Sequence, residues 1–228
     1  MKITYYGHSC FGVEVAGRHL LFDPFISGNG LAKQIRADRI PADYILLSHA
    51  HEDHVADAVG IAKRTQAKVL SNYEIYLWLT RQGIKEALPM NLGGTATLEG
   101  GGMQATLVPA LHSSSLPDGT YGGTAGGWVV RTAEGNFYYS GDTALMTDMK
   151  LIGASTRLKW AALCVGDTFT MGVEDAIRAA EYVGCDQVLG VHYDTFPPIQ
   201  IDHAAAKRKF QASGRTLHLP PIGGSLEL

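Results

Sequence analysis

Short apolar runs separated by turn residues dominate the first third of the chain and predict β-strands. These predicted strands lie at 2–6, 10–15, 19–22, 43–48 and 67–70. Ala16-Gly17-Arg18 is typical of a tight turn between two of them, and residues 25–39 predict an irregular loop. Apolar residues then recur at helical spacing from Val55 to Ala62, so a helix is expected after strand 43–48.

The rest of the chain continues this alternation of strands and helices. Asn72 and Gly83 are residue types typical of the start and the end of a helix, here over 73–82, and two more helices are predicted over 173–183 and 202–212. Further strands are predicted over 95–98, 104–109, 127–132, 136–140, 160–165, 187–191 and 216–219. This order favours an α/β fold in which two sheets pack face to face with helices outside, in one domain over 1–228.

The densest group of chemically active side chains follows strand 43–48. The segment Ser48-His49-Ala50-His51-Glu52-Asp53-His54 has the spacing H-x-H-x-D-H. Imidazole nitrogens and carboxylate oxygens are ligands that zinc and similar divalent metals prefer. A turn between the carboxyl end of a strand and a helix is also where α/β proteins place their ligand sites. The segment therefore predicts a metal site.

Three more ionisable residues stand just after predicted strands. They are His112, Asp142 and His192, which follow the strands at 104–109, 136–140 and 187–191. Each alone is compatible with an ordinary structural role, because polar residues are common in turns. Together with the first motif, they predict that several strand ends supply ligands to one site.

Composition narrows the classes of function. The 228 residues carry a net charge of −3 without a cluster of Lys and Arg, so we expect no nucleic-acid partner. No apolar stretch is long enough for a bilayer, and strand-like sequence from residue 2 leaves no room for a signal peptide. Three distant cysteines suit a reducing compartment better than a disulfide framework. We expect a cytoplasmic protein with a small-molecule substrate and no membrane partner, and we leave homo-oligomerisation open.

The order H-x-H-x-D-H, His112, Asp142 and His192 resembles the metallo-β-lactamase superfamily, and the resemblance runs the full length of the chain. Other matching segments lie at 5–11, 90–95, 112–115, 121–123, 140–145, 166–172 and 192–197. Within the superfamily the chain is similar to a branch of uncharacterised metal-dependent hydrolases related to ascorbate-6-phosphate lactonases. The resemblance implies a four-layer αββα sandwich of two mixed sheets flanked by helices.

The resemblance also implies a ligand set for two divalent metal ions, with zinc first and manganese, iron or nickel as alternatives. It gives the first metal to His49, His51 and His112, and the second to Asp53, His54 and His192, with Asp142 bridging both. A hydroxide held between the metals would be the nucleophile, and Asp53 would also help to orient it.

Several further residues are weaker candidates. His8, in the turn Gly7-His8-Ser9, is expected to act beside the metals, either on a ligand or on substrate. Asp167 is a candidate hydrogen-bond partner of a ligand histidine, although a turn aspartate explains it equally well. Tyr193 and Ser113 are candidates for substrate contact, although ordinary loop polarity explains them as well.

These observations predict a metal-dependent hydrolase that acts on a small ester, lactone or phosphorylated metabolite. One alternative is a phosphodiesterase of the same superfamily that processes nucleic acid, although this chain lacks the basic groove such an enzyme needs. Another is an iron-dependent redox enzyme on the same fold.

Overall fold

The computed structural model describes residues 1–99 and 102–228 and shows two mixed sheets of seven strands each. Helices flank the two sheets, so the expected four-layer αββα sandwich is confirmed.

The first sheet has the strand order β14-β1-β2-β3-β4-β5-β6. Its strands are β1 (Lys2–Gly7), β2 (Cys10–Val15), β3 (Arg18–Phe22), β4 (Tyr44–Leu46), β5 (Lys68–Asn72), β6 (Ala87–Met90) and β14 (Ser225–Glu227). From β14 to β3 the neighbours are antiparallel, because tight turns join β1, β2 and β3. From β3 to β6 they are parallel, because longer connections carry the chain back to the same end.

The second sheet has the order β13-β12-β11-β10-β9-β8-β7. Its strands are β7 (Thr95–Leu98), β8 (Met103–Pro109), β9 (Gly126–Arg131), β10 (Asn136–Tyr139), β11 (Leu158–Cys164), β12 (Gln187–Val191) and β13 (Thr216–His218). Here β7 to β10 are antiparallel and β10 to β13 are parallel. The central strands β9 to β12 are almost continuously apolar, as expected for strands buried on both faces.

Six α-helices within residues 1–99 and 102–228 complete the outer layers. They are α1 (Glu52–Val55), α2 (Ala58–Thr65), α3 (Tyr73–Arg81), α4 (Met149–Ser155), α5 (Val173–Tyr182) and α6 (His203–Ala212). Helices α2 and α3 bury Ile61, Ile75 and Leu79 in a core on the first sheet. Helices α5 and α6 bury their apolar residues against the second sheet, in a core that also fills the space between the sheets, including stacked Phe137 and Trp160. The side chain of Asn72 caps α3 by accepting a hydrogen bond from Ile75 N at 2.9 Å, as the sequence predicts.

The structure also corrects the expected element list. It adds β6, α4 and β14, which the hydrophobic pattern does not reveal. The helix expected after the motif is split into α1 and α2. Asp57 stands at this break, where its carboxylate accepts hydrogen bonds from Ile26 N at 2.6 Å and Ser27 N at 2.9 Å. The break therefore ties the helical segment to the loop that follows β3.

Two expectations from composition can be compared with the described residues. Cys10, Cys164 and Cys185 are all free and buried, which agrees with the absence of a disulfide framework. Within the described parts of the chain, no helix combines the length and the apolar character that a membrane span needs.

Candidate metal centre

Six strand ends, three from each sheet, bring the predicted ligands, His8 and Asp23 to one edge of the sandwich. The first sheet contributes His8 after β1, Asp23 after β3 and the segment 49–54 after β4. The second sheet contributes His112 after β8, Asp142 after β10 and His192 after β12. All seven predicted ligands therefore lie close together: six form two adjoining groups, and Asp142 lies between these groups.

The first group contains His49, His51 and His112, and we call it the open cluster because two of its rings are partly exposed. Nε2 of His49 lies 3.0 Å from Nδ1 of His51. The ring of His112 is 5.1 Å from each of the other two rings, measured between centroids. One nitrogen from each ring lies within 4.8 Å of the others, as three ligands of one cation would.

The second group contains Asp53, His54 and His192 together with His8, and we call it the buried cluster. Oδ2 of Asp53 lies 3.9 Å from Nε2 of His54 and 3.9 Å from Nε2 of His192. The side chains of His8 and His54 are inaccessible to solvent, whereas Asp53 is 24% exposed. This cluster is therefore reached from solvent past Asp53.

Asp142 lies between the two clusters. Its Oδ2 is 2.9 Å from His192 Nε2 and 3.2 Å from His54 Nε2 in the buried cluster. The same oxygen is 3.6 Å from His112 Nε2 and 3.9 Å from His49 Nε2 in the open cluster. This is the position that a carboxylate shared between two cations requires.

The donor set fits two divalent cations. Five imidazoles and two carboxylates face one space, and this chemistry suits zinc and related metals. Two atoms of this set, His54 Nε2 and Asp142 Oδ1, are buried without a hydrogen-bond partner among the described residues. Buried polar atoms are rarely left unpaired, so a cation at these atoms would account for them.

Partners at the outward-facing nitrogens hold three of the ligand rings, whereas Nδ1 of His192 is buried without a partner in the described part of the chain. Ser48 Oγ lies 2.9 Å from Nδ1 of His49, and Ser113 Oγ lies 3.3 Å from Nε2 of His51. In the buried cluster, Asp23 Oδ2 lies 2.7 Å from Nδ1 of His54. Partners of this kind fix the ring orientation and tautomer of a metal-binding histidine.

Asp23 is the main residue that the sequence analysis misses. Its carboxylate is fully buried and also accepts hydrogen bonds from Ser48 N at 2.8 Å and Tyr139 OH at 2.6 Å. Because its Oδ2 meets the outward Nδ1 of His54, it lies behind that ring and supports it. Asp23 directly follows the predicted strand 19–22, just as His192 follows 187–191, but this position alone does not show that its carboxylate meets His54.

His8 lies where the sequence analysis expects it, beside the ligands. Its Nε2 is 2.9 Å from Oδ2 of Asp53, and its Nδ1 is 2.9 Å from the hydroxyl oxygen of Thr195. Burial lowers the pKa of His8 to about 4, so the ring is neutral at pH 7. A neutral imidazole has one N–H, and an ionised carboxylate can only accept, so Nε2 donates to Asp53 and Nδ1 accepts from Thr195. Thr195 is thus a second residue that the sequence does not reveal.

Burial and the mutual charges of the groups set the protonation of the clusters. In the open cluster, burial lowers the pKa of His49, His51 and His112, so these rings are neutral and available as ligands. Burial also lowers the pKa of His54, but the carboxylates of Asp142 and Asp53 outweigh this and raise it well above the usual value. Positive charge is therefore favoured in the buried cluster.

The two central carboxylates are ionised. Burial raises the pKa of Asp53, but the charge of His54 and the hydrogen bond from His8 outweigh this and hold it well below the usual value. Burial likewise raises the pKa of Asp142, and His54 and His192 outweigh it. Anionic carboxylates are the form that binds cations.

The structure does not support two of the weaker candidates. The carboxylate of Asp167 is exposed and accepts a hydrogen bond from Thr168 N at 2.8 Å, as a turn aspartate would, and among the described residues no hydrogen bond joins it to a ligand histidine. The ring of Tyr193 is buried and stacks on Tyr5 at 5.9 Å, which leaves it little surface for substrate. By stacking on Tyr5, Tyr193 supports the turn that contains His8, because Tyr5 OH donates a hydrogen bond to the carbonyl oxygen of His8 at 3.1 Å.

Three residues of the centre have strained backbones. His8, Asp23 and His192 have φ angles of 55°, 40° and 57°, in a backbone region that residues other than glycine rarely adopt. Such conformations persist only where the surroundings enforce them, and they concentrate at functional sites. Here they turn side chains inward at the point where a strand ends.

Comparison with known proteins gives consistent results. A family model described as a β-lactamase superfamily domain matches residues 18–193. The chain is 59% identical over 228 residues to a protein named metal-dependent hydrolase from Methylacidiphilum infernorum (isolate V4), covering 100% of both chains. It is 42% identical over 228 residues to one of the same name from Thermus thermophilus, covering 100% of this chain and 99% of the other.

Solved structures agree with these sequence matches. A metallo hydrolase from the archaeon Ignicoccus hospitalis is 35% identical, with a TM-score of 0.89, and the match covers 100% of this chain and 98% of that one. An isothiocyanate hydrolase from Delia radicum gut bacteria is 18% identical, with a TM-score of 0.78, covering 100% of this chain and 99% of that one. The second likeness shows a shared fold alone.

Proposed function

Because the chain belongs to the β-lactamase superfamily and is a metal-dependent hydrolase, we propose that it uses two divalent cations to hydrolyse a small carboxylic ester or lactone. The observation that carries this proposal is the position of Asp142, whose Oδ2 lies within 3.9 Å of ligand nitrogens of both clusters. A single cation would need only one cluster.

The ligand assignment follows from the geometry. His49, His51 and His112 would hold one cation, Asp53, His54 and His192 the other, and Asp142 both. When bound, such a pair of cations lowers the pKa of water toward about 7, which supplies hydroxide as the nucleophile, and polarises the oxygen of the scissile bond.

The chain's own residues then position the reactants. His8 donates from Nε2 to Asp53 and so fixes one oxygen of that carboxylate. Asp53 is ionised and partly exposed, so its other carboxylate oxygen can accept a hydrogen bond from the attacking water and orient that water. His8 itself is neutral and shielded, which makes it a positioning residue and not a proton donor to the leaving group.

The charge of the surrounding loops favours an ester or lactone over a phosphorylated substrate. Lys and Arg are absent from the segments next to the ligand candidates and their supporting residues, although the loop after β3 continues to Lys33, Arg36 and Arg39. These segments are 23–32, 48–54, 110–125, 140–148, 166–172 and 192–200. Phosphoryl groups and nucleic acids are normally recognised by Arg and Lys, so their absence also disfavours a phosphodiesterase.

The proposal is tested by metal reconstitution followed by a substrate panel. Protein loaded separately with zinc, manganese, iron or nickel is assayed on lactones, carboxylic esters, phosphomonoesters and phosphodiesters. We expect two metal equivalents, and lactone or ester hydrolysis that disappears on chelation. A plateau at one equivalent would contradict the two-cation arrangement. Hydrolysis confined to phosphodiesters would contradict the substrate class.

A further inference from the structure

Exposed apolar side chains gather around the polar metal centre. The described residues include seven large hydrophobic side chains that are exposed. Leu111 and Tyr121 lie in segment 110–125, which contains the ligand candidate His112, and Phe169 lies in segment 166–172. Neither segment contains Lys or Arg. An apolar surface that borders a site marks an interaction surface for an apolar group.

One side of the centre is formed by two phenylalanines. The rings of Phe25 and Phe196 lie 5.6 and 5.5 Å from the ring of His8, measured between centroids, and 6.4 Å from each other. Phe25 is almost completely buried, whereas Phe196 keeps part of its surface in solvent. Because His8 is bonded to the partly exposed Asp53, Phe196 lies beside the route into the buried cluster.

A short hairpin borders the centre on the side of the open cluster. Gly122 N donates to Ser114 O at 3.0 Å, and an isolated bridge pairs Ser115 with Tyr121. The hairpin is fixed to the ligand segment, since Ala50 N donates to Ser114 Oγ at 3.2 Å. Tyr121, at 67% exposure, therefore stands close to the open cluster without being buried by it.

We propose that these two sides form an acceptor surface for an apolar chain or ring attached to the scissile carbonyl, with Phe196 and Tyr121 as its main contacts. The substrate class is therefore an ester or lactone with an apolar substituent. This inference rests on the proposed function for the bond that is cleaved. The preference for an apolar substituent is a separate property, carried by the rim and not by the metal ligands.

Hydroxamates test this surface without turnover, because they bind metal through the hydroxamate group and differ only in the tail. Isothermal titration of zinc-loaded protein compares acetohydroxamate with octanohydroxamate. We expect octanohydroxamate to bind at least about tenfold more tightly, since each buried methylene contributes to affinity. Phe196→Ala and Tyr121→Ala should each reduce this ratio by about three- to tenfold, and Phe196→Leu should retain most of it because leucine keeps the surface apolar.

Two exposed leucines outside the site provide matched controls. Leu77 on α3 and Leu151 on α4 are exposed apolar residues, and their substitution by Ala should leave the ratio unchanged. If Phe196→Ala disturbs the ring of His8, Tyr121→Ala still tests the apolar surface, because Tyr121 does not pack on that ring. A wild-type ratio near one, no binding of octanohydroxamate, or equal effects of the leucine and aromatic variants would overturn the inference.

The outcomes separate this inference from the proposed function. A tail preference without hydrolysis of any ester or lactone would support the apolar surface and refute the proposed reaction. Ester hydrolysis with a ratio near one would do the reverse. A ratio near one together with a dimer in sedimentation that Tyr121→Ala dissociates would overturn the inference in favour of a contact between two copies.

Discussion

The open and buried clusters both contain histidines but are supported in different ways. In the open cluster, hydroxyl groups of Ser48 and Ser113 lie next to the outward nitrogens of His49 and His51. In the buried cluster, a carboxylate supports His54 and an imidazole holds a ligand carboxylate. A charged partner is costly to bury unless it is paired, and it then interacts strongly in the low dielectric of the interior.

From this difference we expect the two clusters to bind cations with different affinities. Three carboxylates, Asp23, Asp53 and Asp142, surround His54, whereas Asp142 is the only carboxylate whose distances to the open-cluster ligands lie within 4 Å among the described residues. Negative charge at short range stabilises a bound cation, so the buried cluster should be the tighter site.

Asp142→Ala should have the largest effect, because it removes the carboxylate that faces both clusters. We expect activity to fall by about 10³-fold or more, together with loss of the second metal equivalent, since this carboxylate separates two like charges. Elemental analysis and steady-state kinetics measure both. His203→Ala is the control, because His203 pairs with Asp194 outside the centre. Equal losses in the two variants would mean that Asp142 has no special place in the site.

Asp23→Asn should remove the tighter cation binding expected of the buried cluster, while the side chain keeps nearly the same shape. The charge behind His54 disappears, so we expect metal affinity of the tighter site to fall by about 10–100-fold. Competition with a chelator of known affinity measures this. In wild-type protein two steps should appear, and in the variant they should move together. Two steps of unchanged separation would break the proposed link between carboxylate support and affinity.

His8→Ala should lower turnover by about 10–100-fold while metal content stays near normal, because His8 orients Asp53 without being needed as a ligand. Thr195→Val provides a milder test of the same arrangement, since it removes the hydroxyl that donates to Nδ1 of His8. Loss of a whole metal equivalent in His8→Ala would instead make His8 a ligand.

Ser113→Ala should have the smallest effect. Its hydroxyl lies 3.3 Å from Nε2 of a partly exposed His51, and water can replace a neutral partner at such a position. We expect a change of at most about threefold in metal affinity of the weaker site. A loss as large as that of Asp23→Asn would show that the hydroxyl and carboxylate supports are equivalent.

Most of the fold can be predicted because strong hydrophobic periodicity coincides with well-marked turns. Strand β12 and helix α3, with its Asn72 cap, are found within one residue of their expected bounds. Short strands at sheet edges are not visible in the hydrophobic pattern. Strand β14 is short, lies at the edge and pairs with β1 at the other end of the chain. Strand β6 is also at an edge and contains Pro89, which makes its segment look like a loop.

The ligand candidates can be predicted from the sequence, whereas of the described residues that support them only His8 is expected in that role. His49, Asp142 and the other predicted ligands are recognisable because metals need particular residue types, and those residues follow strand ends. Asp23 and Thr195 act through distance and orientation, which a linear sequence does not display. Asp167 fails for the same reason, because its position after β11 is right but its side chain points to solvent. The extent of a single domain over 1–228 stays a prediction.

The centre takes three strand ends from each sheet, and this arrangement couples metal supply to the lifetime of the chain. A cation held jointly by His54 and Asp142 binds only while the two sheets are docked, so its binding free energy opposes their separation. At a free concentration about 1,000 times the Kd, this linkage amounts to about 4 kcal/mol. Metal-starved protein would open more often between its halves and expose the shared core to proteases, so metal scarcity would shorten the survival of the protein as well as silence it.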